Sequence, residues 1–193
     1  MISKNLKVIS IGKVENYSDL LQIRELNQNN LINNLSRKDI LEYGFVTLNY
    51  NIELLKDVNK IQKSIVARDN DKIVGYAIVI DKTVYGLHKL FDDLIDRLST
   101  ISFNSKKLKN ANYALVGQLC IKKEYRGMGI VQKIYDFYKK EYSKKYQYLI
   151  TDIDEKNKRS LSAHLKIGFQ IIDNFSWGDS NWNIILWNWN DEN

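Results

Sequence analysis

The chain has no proline, a single cysteine and only two histidines in 193 residues. Without proline, chain reversals must be carried by Gly, Asn, Asp and Ser. The lone Cys120 excludes an internal disulfide, and with only His88 and His164 a zinc cluster is not expected, so no metal is assigned. No apolar run approaches the ~18–20 residues a membrane-spanning helix needs. Met1 to Lys7 lacks the apolar stretch and small-residue cleavage site of a signal peptide. These absences point to a cytoplasmic protein with no membrane partner.

What is present is ordinary for a globular chain: 44% hydrophobic and 27% charged residues. The length suits one domain over 1–193 with a sizeable core. The formal charge is +6, and its placement is uneven. From Asn104 to Ile167 there are 15 Lys or Arg against 6 Asp or Glu; from Gly168 onward there are four acids and no base. A basic middle suits an anionic ligand, nucleic acid among them, or simply a solvated lysine-rich surface.

Leu6 to Ile11 alternates as a strand, Ser18 is placed to cap a helix bearing Leu20, Leu21, Ile23 and Leu26, and Gly44 to Asn49 is β-prone. Ile52 to Val58 has helical spacing. Ser64–Ala67 and Ile73–Ile80 read as a hairpin closed by Asp69-Asn70-Asp71. Leu87, Leu90, Phe91, Leu94 and Leu98 mark one helix face, with Asp92, Asp93 and Asp96 beside it. Those acids are either a wet helix face or a reception for a cationic substrate. A strand over Tyr113–Lys122, a helix from Gly129 to about Lys144, a strand over Tyr148–Ile153 and a short helix over Lys158–Lys166 closed by Gly168 follow. Phe169–Ile172 and Asn183–Trp189 complete the chain as an antiparallel pair. The order predicts an α+β domain.

The segment QLCIKKEYRGMGIV, Gln118 to Val131, runs an apolar strand into a basic, glycine-bearing turn from which a helix opens at once. Backbone N–H groups at a helix start are unpaired, and with the helix dipole they attract an anion. Gly127 and Gly129 remove Cβ atoms that would hold a phosphate off the backbone. Arg126, Lys122 and Lys123 add charge. The turn lacks the Gly-Lys-Ser/Thr ending of a Walker loop and the third glycine of a dinucleotide fingerprint.

With its flanks, this segment resembles the GCN5-related N-acetyltransferase (GNAT) family. That family's signature is Arg or Gln, two residues, Gly, one residue, then Gly or Ala, after a strand. Arg126, Gly129 and Val131 occupy those places, Val131 being a departure. A second block, Asn157 to Phe169, is similar to the family's following helix and strand, with an early Asn and a terminal Gly-Phe. The match covers roughly Gln118 to Phe169. It implies a three-layer α/β/α fold on a mixed, mostly antiparallel sheet with a splayed parallel strand pair. Residues 113–189 would form the acetyl-CoA-binding core and 1–99 the acceptor side.

The resemblance also implies roles. Leu119, Cys120 and Ile121 would line the pantetheine arm, Arg126, Gly127, Met128, Gly129, Ile130 and Val131 would cradle the diphosphate, and Asn157 would touch the cofactor from the far side. His164 stands where many relatives carry a Tyr that protonates the leaving sulfur, and a neutral-range pKa suits that task. Asp152 stands where some relatives carry a general-base Glu. Each also has a plain structural reading, in packing or capping. An acetyl-cysteine route through Cys120 is disfavoured, because a buried strand thiol is inert.

The expected activity is transfer of acetyl from acetyl-CoA to a primary amine, of a small molecule or a peptide, by direct attack in a ternary complex. A non-catalytic acyl-CoA-binding module is the alternative, and a nucleic-acid-binding protein a remote one, since no nucleic-acid motif is visible. Asp92, Asp93, Asp96 and Asp152 favour a cationic acceptor. Trp177, Trp182, Trp187 and Trp189 read mainly as core. The last aromatic strand could pair with a second copy in a homodimer.

Overall fold

The computed structural model describes residues 8–190. Leu6 and Lys7 of the first expected strand lie outside them. In chain order the elements are β1 (Ile9–Lys13), α1 (Tyr17–Gln28), α2 (Arg37–Tyr43), α3 (Ile52–Ile61), β2 (Ile65–Asp69), β3 (Lys72–Ile80) and α4 (Lys89–Thr100). The two-residue strands β4 (Ser102–Phe103) and β5 (Lys106–Lys107) follow. The second half is β6 (Tyr113–Ile121), α5 (Ile130–Tyr142), β7 (Tyr148–Asp154), α6 (Lys158–Ile167), β8 (Gln170–Trp177) and β9 (Ser180–Asn188).

Seven strands form one sheet in the order β1-β2-β3-β6-β7-β9-β8, and only β6 and β7 run parallel. The sheet is covered on both faces, which is why β3 reads as an unbroken apolar run instead of an alternation. On one face Leu20, Ile23, Leu55, Val58, Phe91 and Leu98, from α1, α3 and α4, pack on Tyr76, Ile78, Leu115 and Ile150. On the other, Ile134, Tyr135 and Tyr138 of α5 pack on Val74, Val116 and Leu149. Each fully buried aliphatic side chain contributes about 1.5–3 kcal/mol by leaving water, so both layers are strongly held. This is the expected α+β, three-layer arrangement.

With no proline to open helices, side-chain caps do so. Asn51 Oδ1 accepts from Leu54 N–H, Ser36 Oγ from Asp39 N–H, and His88 Nδ1 from Leu90 N–H. The first helix is capped by Asn16, whose Oδ1 accepts from Asp19 N–H, and not by Ser18. Asp19 reaches back to Glu15 N–H, so two early donors are satisfied together. Capping by His88 leaves Leu87 outside α4 and partly exposed.

Gly44 to Asn49 is not a strand. Val46 makes one isolated bridge to Leu31. The carbonyls of Phe45 and Leu48 are taken by side chains instead, from Asn157 and from Asn27 and Gln118. Tertiary side-chain partners replace the ladder that β propensity anticipates. No helix among the described residues is long and apolar enough to cross a membrane.

Candidate active site

The site is created by a failure of pairing. β6 and β7 are in register only over Tyr113–Tyr148, Ala114–Leu149 and Leu115–Ile150. Beyond that they part, and the reason is local. Val116 faces Val79 and Gln118 faces Ile78 on β3, so Gly117 is an extra residue bulged out of the ladder. Only glycine fits there, since a Cβ would lie 2.8 Å from the Tyr50 hydroxyl. Thr151 Oγ1 donates to Val116 C=O at 2.9 Å where the strands separate, and Arg126 Nε donates to Ile121 C=O at 2.8 Å farther along. Between these two points the edge of β6 has no strand beside it among the described residues.

A cavity of about 570 Å³ opens there. Leu119, Cys120 and Ile121 form one wall, the turn at Arg126, Gly127, Gly129, Ile130 and Val131 its end, and Asn157, Ser160 and His164 of α6 the other wall. The turn has the geometry that an anion requires. Gly127 and Gly129 sit at φ +78° and +72°, and a Cβ on either would meet no protein atom within 4 Å. The space left by the missing side chains thus belongs to the cavity. The first intrahelical bond of α5 is Lys133 N–H to Gly129 C=O, so the Ile130, Val131 and Gln132 amides precede the ladder at the positive end of the dipole. Met128 lies on the crest, 43% exposed, and not in the wall.

Charge reaches the cavity by a different set of residues than the basic turn indicated. Arg126, Arg159 and Lys166 line it. Lys122 and Lys123 line a separate groove against α2, where Lys123 pairs with Asp39 at 3.2 Å. Arg126 is half-buried and its guanidinium is committed to protein. Besides Ile121 it donates to Tyr43 C=O at 3.1 Å and Asn30 Oδ1 at 2.7 Å. It ties the end of α2 to the end of β6 and contributes charge more than a free fork. Asn157 is similarly occupied, capping α6 at Ser160 N–H and donating to Phe45 C=O at 2.8 Å.

His164 is buried. Nδ1 is 2.8 Å from Ser160 C=O and so carries the proton, which leaves Nε2 to accept from the Tyr135 hydroxyl at 2.6 Å. Burial pushes its pKa down to about 4, so the imidazole is neutral throughout the physiological range. His164→Phe is expected to strand the Tyr135 hydroxyl, at a cost of about 1–3 kcal/mol. That lowers the melting midpoint by several degrees, with no change in the shape of the rate–pH profile between pH 6 and 8. Loss of a titrating limb in that interval would restore a proton-donor role. Burial also pushes the Cys120 thiol up to about 12, which keeps it protonated.

Beside it, where the strands part, lies a smaller cavity of about 80 Å³, lined by Gly117, Gln118, Leu119, Thr151, Asp152, Asp154 and Trp182 and sharing His164 and Asn157 with the first. Asp152 projects from β7 just past the point of separation. Burial pushes its carboxyl up to about 6, with no cationic partner offsetting the rise. Asp92, Asp93 and Asp96 line neither cavity. They are held by Gly86 N–H, by Lys89 and Trp177, and by the Tyr85 hydroxyl, which makes them a structured helix face.

Phe45, Val46 and Thr47 of the first half, which carry no readable motif, line this smaller cavity, and a buried network behind them fixes the segment that follows. Asn27 Nδ2 donates to Leu48 C=O and to Gln118 Oε1, Asn27 Oδ1 accepts from Tyr50 N–H, and Tyr76 donates to the same Gln118 oxygen. This buried network clamps the Leu48–Tyr50 segment onto the bulge. A polar Asn27 inside an otherwise apolar helix face is the one sequence signal that could have exposed it.

A sequence profile described as the Acetyltransferase (GNAT) family matches residues 30–169. The chain belongs to that family. No curated protein sequence matches it. Among solved structures it is similar to a GNAT-family acetyltransferase from Streptococcus agalactiae, with 17% identity, coverage of 93% of this chain and 95% of that one, and a TM-score of 0.64. It is similar also to NAA60 of Arabidopsis thaliana in complex with acetyl-CoA (16%, 94% and 99%, 0.63). The ribosomal-protein-S18-alanine N-acetyltransferase of Escherichia coli gives 11%, 96% and 97%, and 0.62. At these identities the structures establish the shared fold, and the profile establishes the family. The GNAT enzyme is thus an acyltransferase with acetyl-CoA as its co-substrate, and the open glycine turn and partnerless β6 edge fit that molecule.

Proposed function

We propose that the enzyme acetylates a primary amine by direct attack within a ternary complex, with Asp152 receiving the ammonium proton directly or through one water. The observation that carries this reading is the pair of adjoining cavities where β6 and β7 part, which share Leu119, Asn157, Ser160 and His164 in their walls. The anion-competent turn lies at one end and a carboxylate without a cationic partner at the other. When bound, acetyl-CoA supplies the thioester. The amides of Ile130 and Val131 and the charges of Arg126, Arg159 and Lys166 hold its diphosphate end, and the free edge of β6 orients its arm.

A carboxyl group near 6 is ionised at neutral pH yet basic enough to take a proton in the transition state. The amine nitrogen then bonds to the acetyl carbon as the carbon–sulfur bond breaks. Asp152 passes the ammonium proton on to solvent before the attack, so it is ionised again to take the second proton that the nitrogen loses as the amide forms, and the thiolate is protonated from solvent. His164, neutral and doubly bonded, shapes the wall at the reacting end. A protonated Cys120 thiol supports direct attack over an acetyl-cysteine. Calorimetric titration with acetyl-CoA, CoA and ATP, followed by a thiol-release assay over an amine panel, is the test. Saturable binding of both CoA forms, little binding of ATP, and amine-dependent thiol release are expected. Binding without release would leave only a carrier of acyl-CoA.

A further inference from the structure

We infer that Thr151 is the positioning residue that keeps β6 and β7 apart, setting both the width of the cofactor cavity and the place of Asp152. The inference rests on the reading of that cavity given above. The bulge at Gly117 explains why β6 departs from its ladder, but not why β7 fails to follow it. β7 is no frayed strand. It stays paired with β9 over its whole length, from Tyr148 opposite Asn188 to Asp154 opposite Trp182, and β9 stays paired with β8. The part of the sheet that leaves β6 is therefore an intact three-stranded unit, and contacts at the point of departure set its direction.

Two backbone carbonyls mark that point, and each accepts from a side chain. Leu115 C=O accepts from the Tyr138 hydroxyl of α5 at 2.9 Å, and Val116 C=O from Thr151 Oγ1 at 2.9 Å. Thr151 does so from β7 itself, one residue beyond the last ladder pair, Leu115 with Ile150. A buried carbonyl without a donor is costly. In a continued ladder a backbone N–H of β7 would supply that donor and draw the strand against β6. A hydroxyl supplies it at the longer reach of a side chain, so the carbonyl is satisfied while the backbones diverge. The side chain is β-branched and stiff about χ1, which suits a spacer. Thr151 is buried and lines the smaller cavity, and the residue that follows it is Asp152. The bond that spaces the strands thus also fixes where the Asp152 carboxyl stands.

The test compares Thr151→Val, which keeps the shape and removes the donor, with Thr151→Ser, which keeps the donor. Thr151→Val should let β7 close on β6. The Kd for acetyl-CoA should then rise about tenfold in calorimetry, and kcat with the most active amine should fall about tenfold as Asp152 is displaced. Thr151→Ser should return both quantities to within about threefold of the parent protein. Thr151→Cys, with a weaker donor, should fall between the two, and it replaces the valine variant if that one does not fold. A hydroxyl with a structural role alone would lower the melting midpoint of Thr151→Val and leave Kd and kcat within about twofold. That result would overturn the inference and leave the cofactor reading intact, as would equal losses in the valine and serine variants. A parent protein that binds no acetyl-CoA would withdraw the cofactor reading, and the inference with it.

Discussion

Gly129→Val is expected to weaken acetyl-CoA binding by about a hundredfold, which corresponds to about 2.8 kcal/mol. Two effects contribute, and they can be separated. Gly129 has φ +72° and ψ +11°, a left-handed conformation that costs an L-residue roughly 1–2 kcal/mol and a β-branched one more. That strain falls on the fold as well as on the site. The second effect falls on the site alone: the new side chain enters space that no protein atom occupies within 4 Å and that opens onto the cavity. Gly86 is the internal control. It has φ +90° with equally open space, yet it does not line the cavity. Gly86→Val should therefore lower the melting midpoint while acetyl-CoA affinity stays within twofold in calorimetry. Equal affinities for Gly129→Val and the parent protein would reduce the turn to a structural one and withdraw the phosphate assignment.

Asp152→Asn should lower turnover by about 10²–10³-fold, within the range attributed to a positioned general base, and should leave acetyl-CoA affinity unchanged. The pH dependence makes the prediction specific. With the carboxyl raised to about 6, the base form populates above that pH, so kcat/KM should climb about tenfold per unit up to 6 and then level off. The asparagine variant should have no such limb. Stability should move the other way. An unfolded Asp titrates near 3.9, so between about 4 and 6 the folded protein binds the proton more tightly, and ionisation weakens the fold as pH rises through that window. Removing the charge should raise the melting midpoint at pH 7.5 by about 2–4 °C per kcal/mol regained. A variant both slower and less stable would mark Asp152 as a structural residue.

His164 contributes with the opposite sign across nearly the same window. Its pKa is depressed to about 4 in the fold against about 6.5 unfolded, so its stabilisation is present above about 6.5 and is lost as pH falls toward 4. The two groups offset each other between pH 4 and 6. The fall in stability due to Asp152 should thus be seen most clearly in His164→Phe.

The second half of the chain was legible because its signals are local. Strand, glycine turn, helix and capped helix follow one another within Gln118–Phe169, and each is written in spacing, caps and glycines only a few residues apart. The first half was read element by element, with errors where a partner far away in sequence decided the outcome. Gly44–Asn49 has strand composition, but Asn27, Gln118 and Asn157 claim its carbonyls. Asn27 and Tyr50 looked like unremarkable helix and loop residues. Their importance comes from contacts 91 and 67 residues away, with Gln118 and Gly117.

The amino-acid sequence by itself determined the family, the order of the second-half elements and the open glycine turn, because helix starts, glycine conformation and strand patterning depend on neighbours along the chain. Only the tertiary structure decided which charges face the cavity, that Arg126 and Asn157 hold the protein to itself, that His164 is neutral, and that Asp152 and Trp182 line one small cavity with Phe45, Val46 and Thr47 of the first half. Burial and hydrogen-bond partnership set those properties, and both arise from residues that the fold brings together across the sheet.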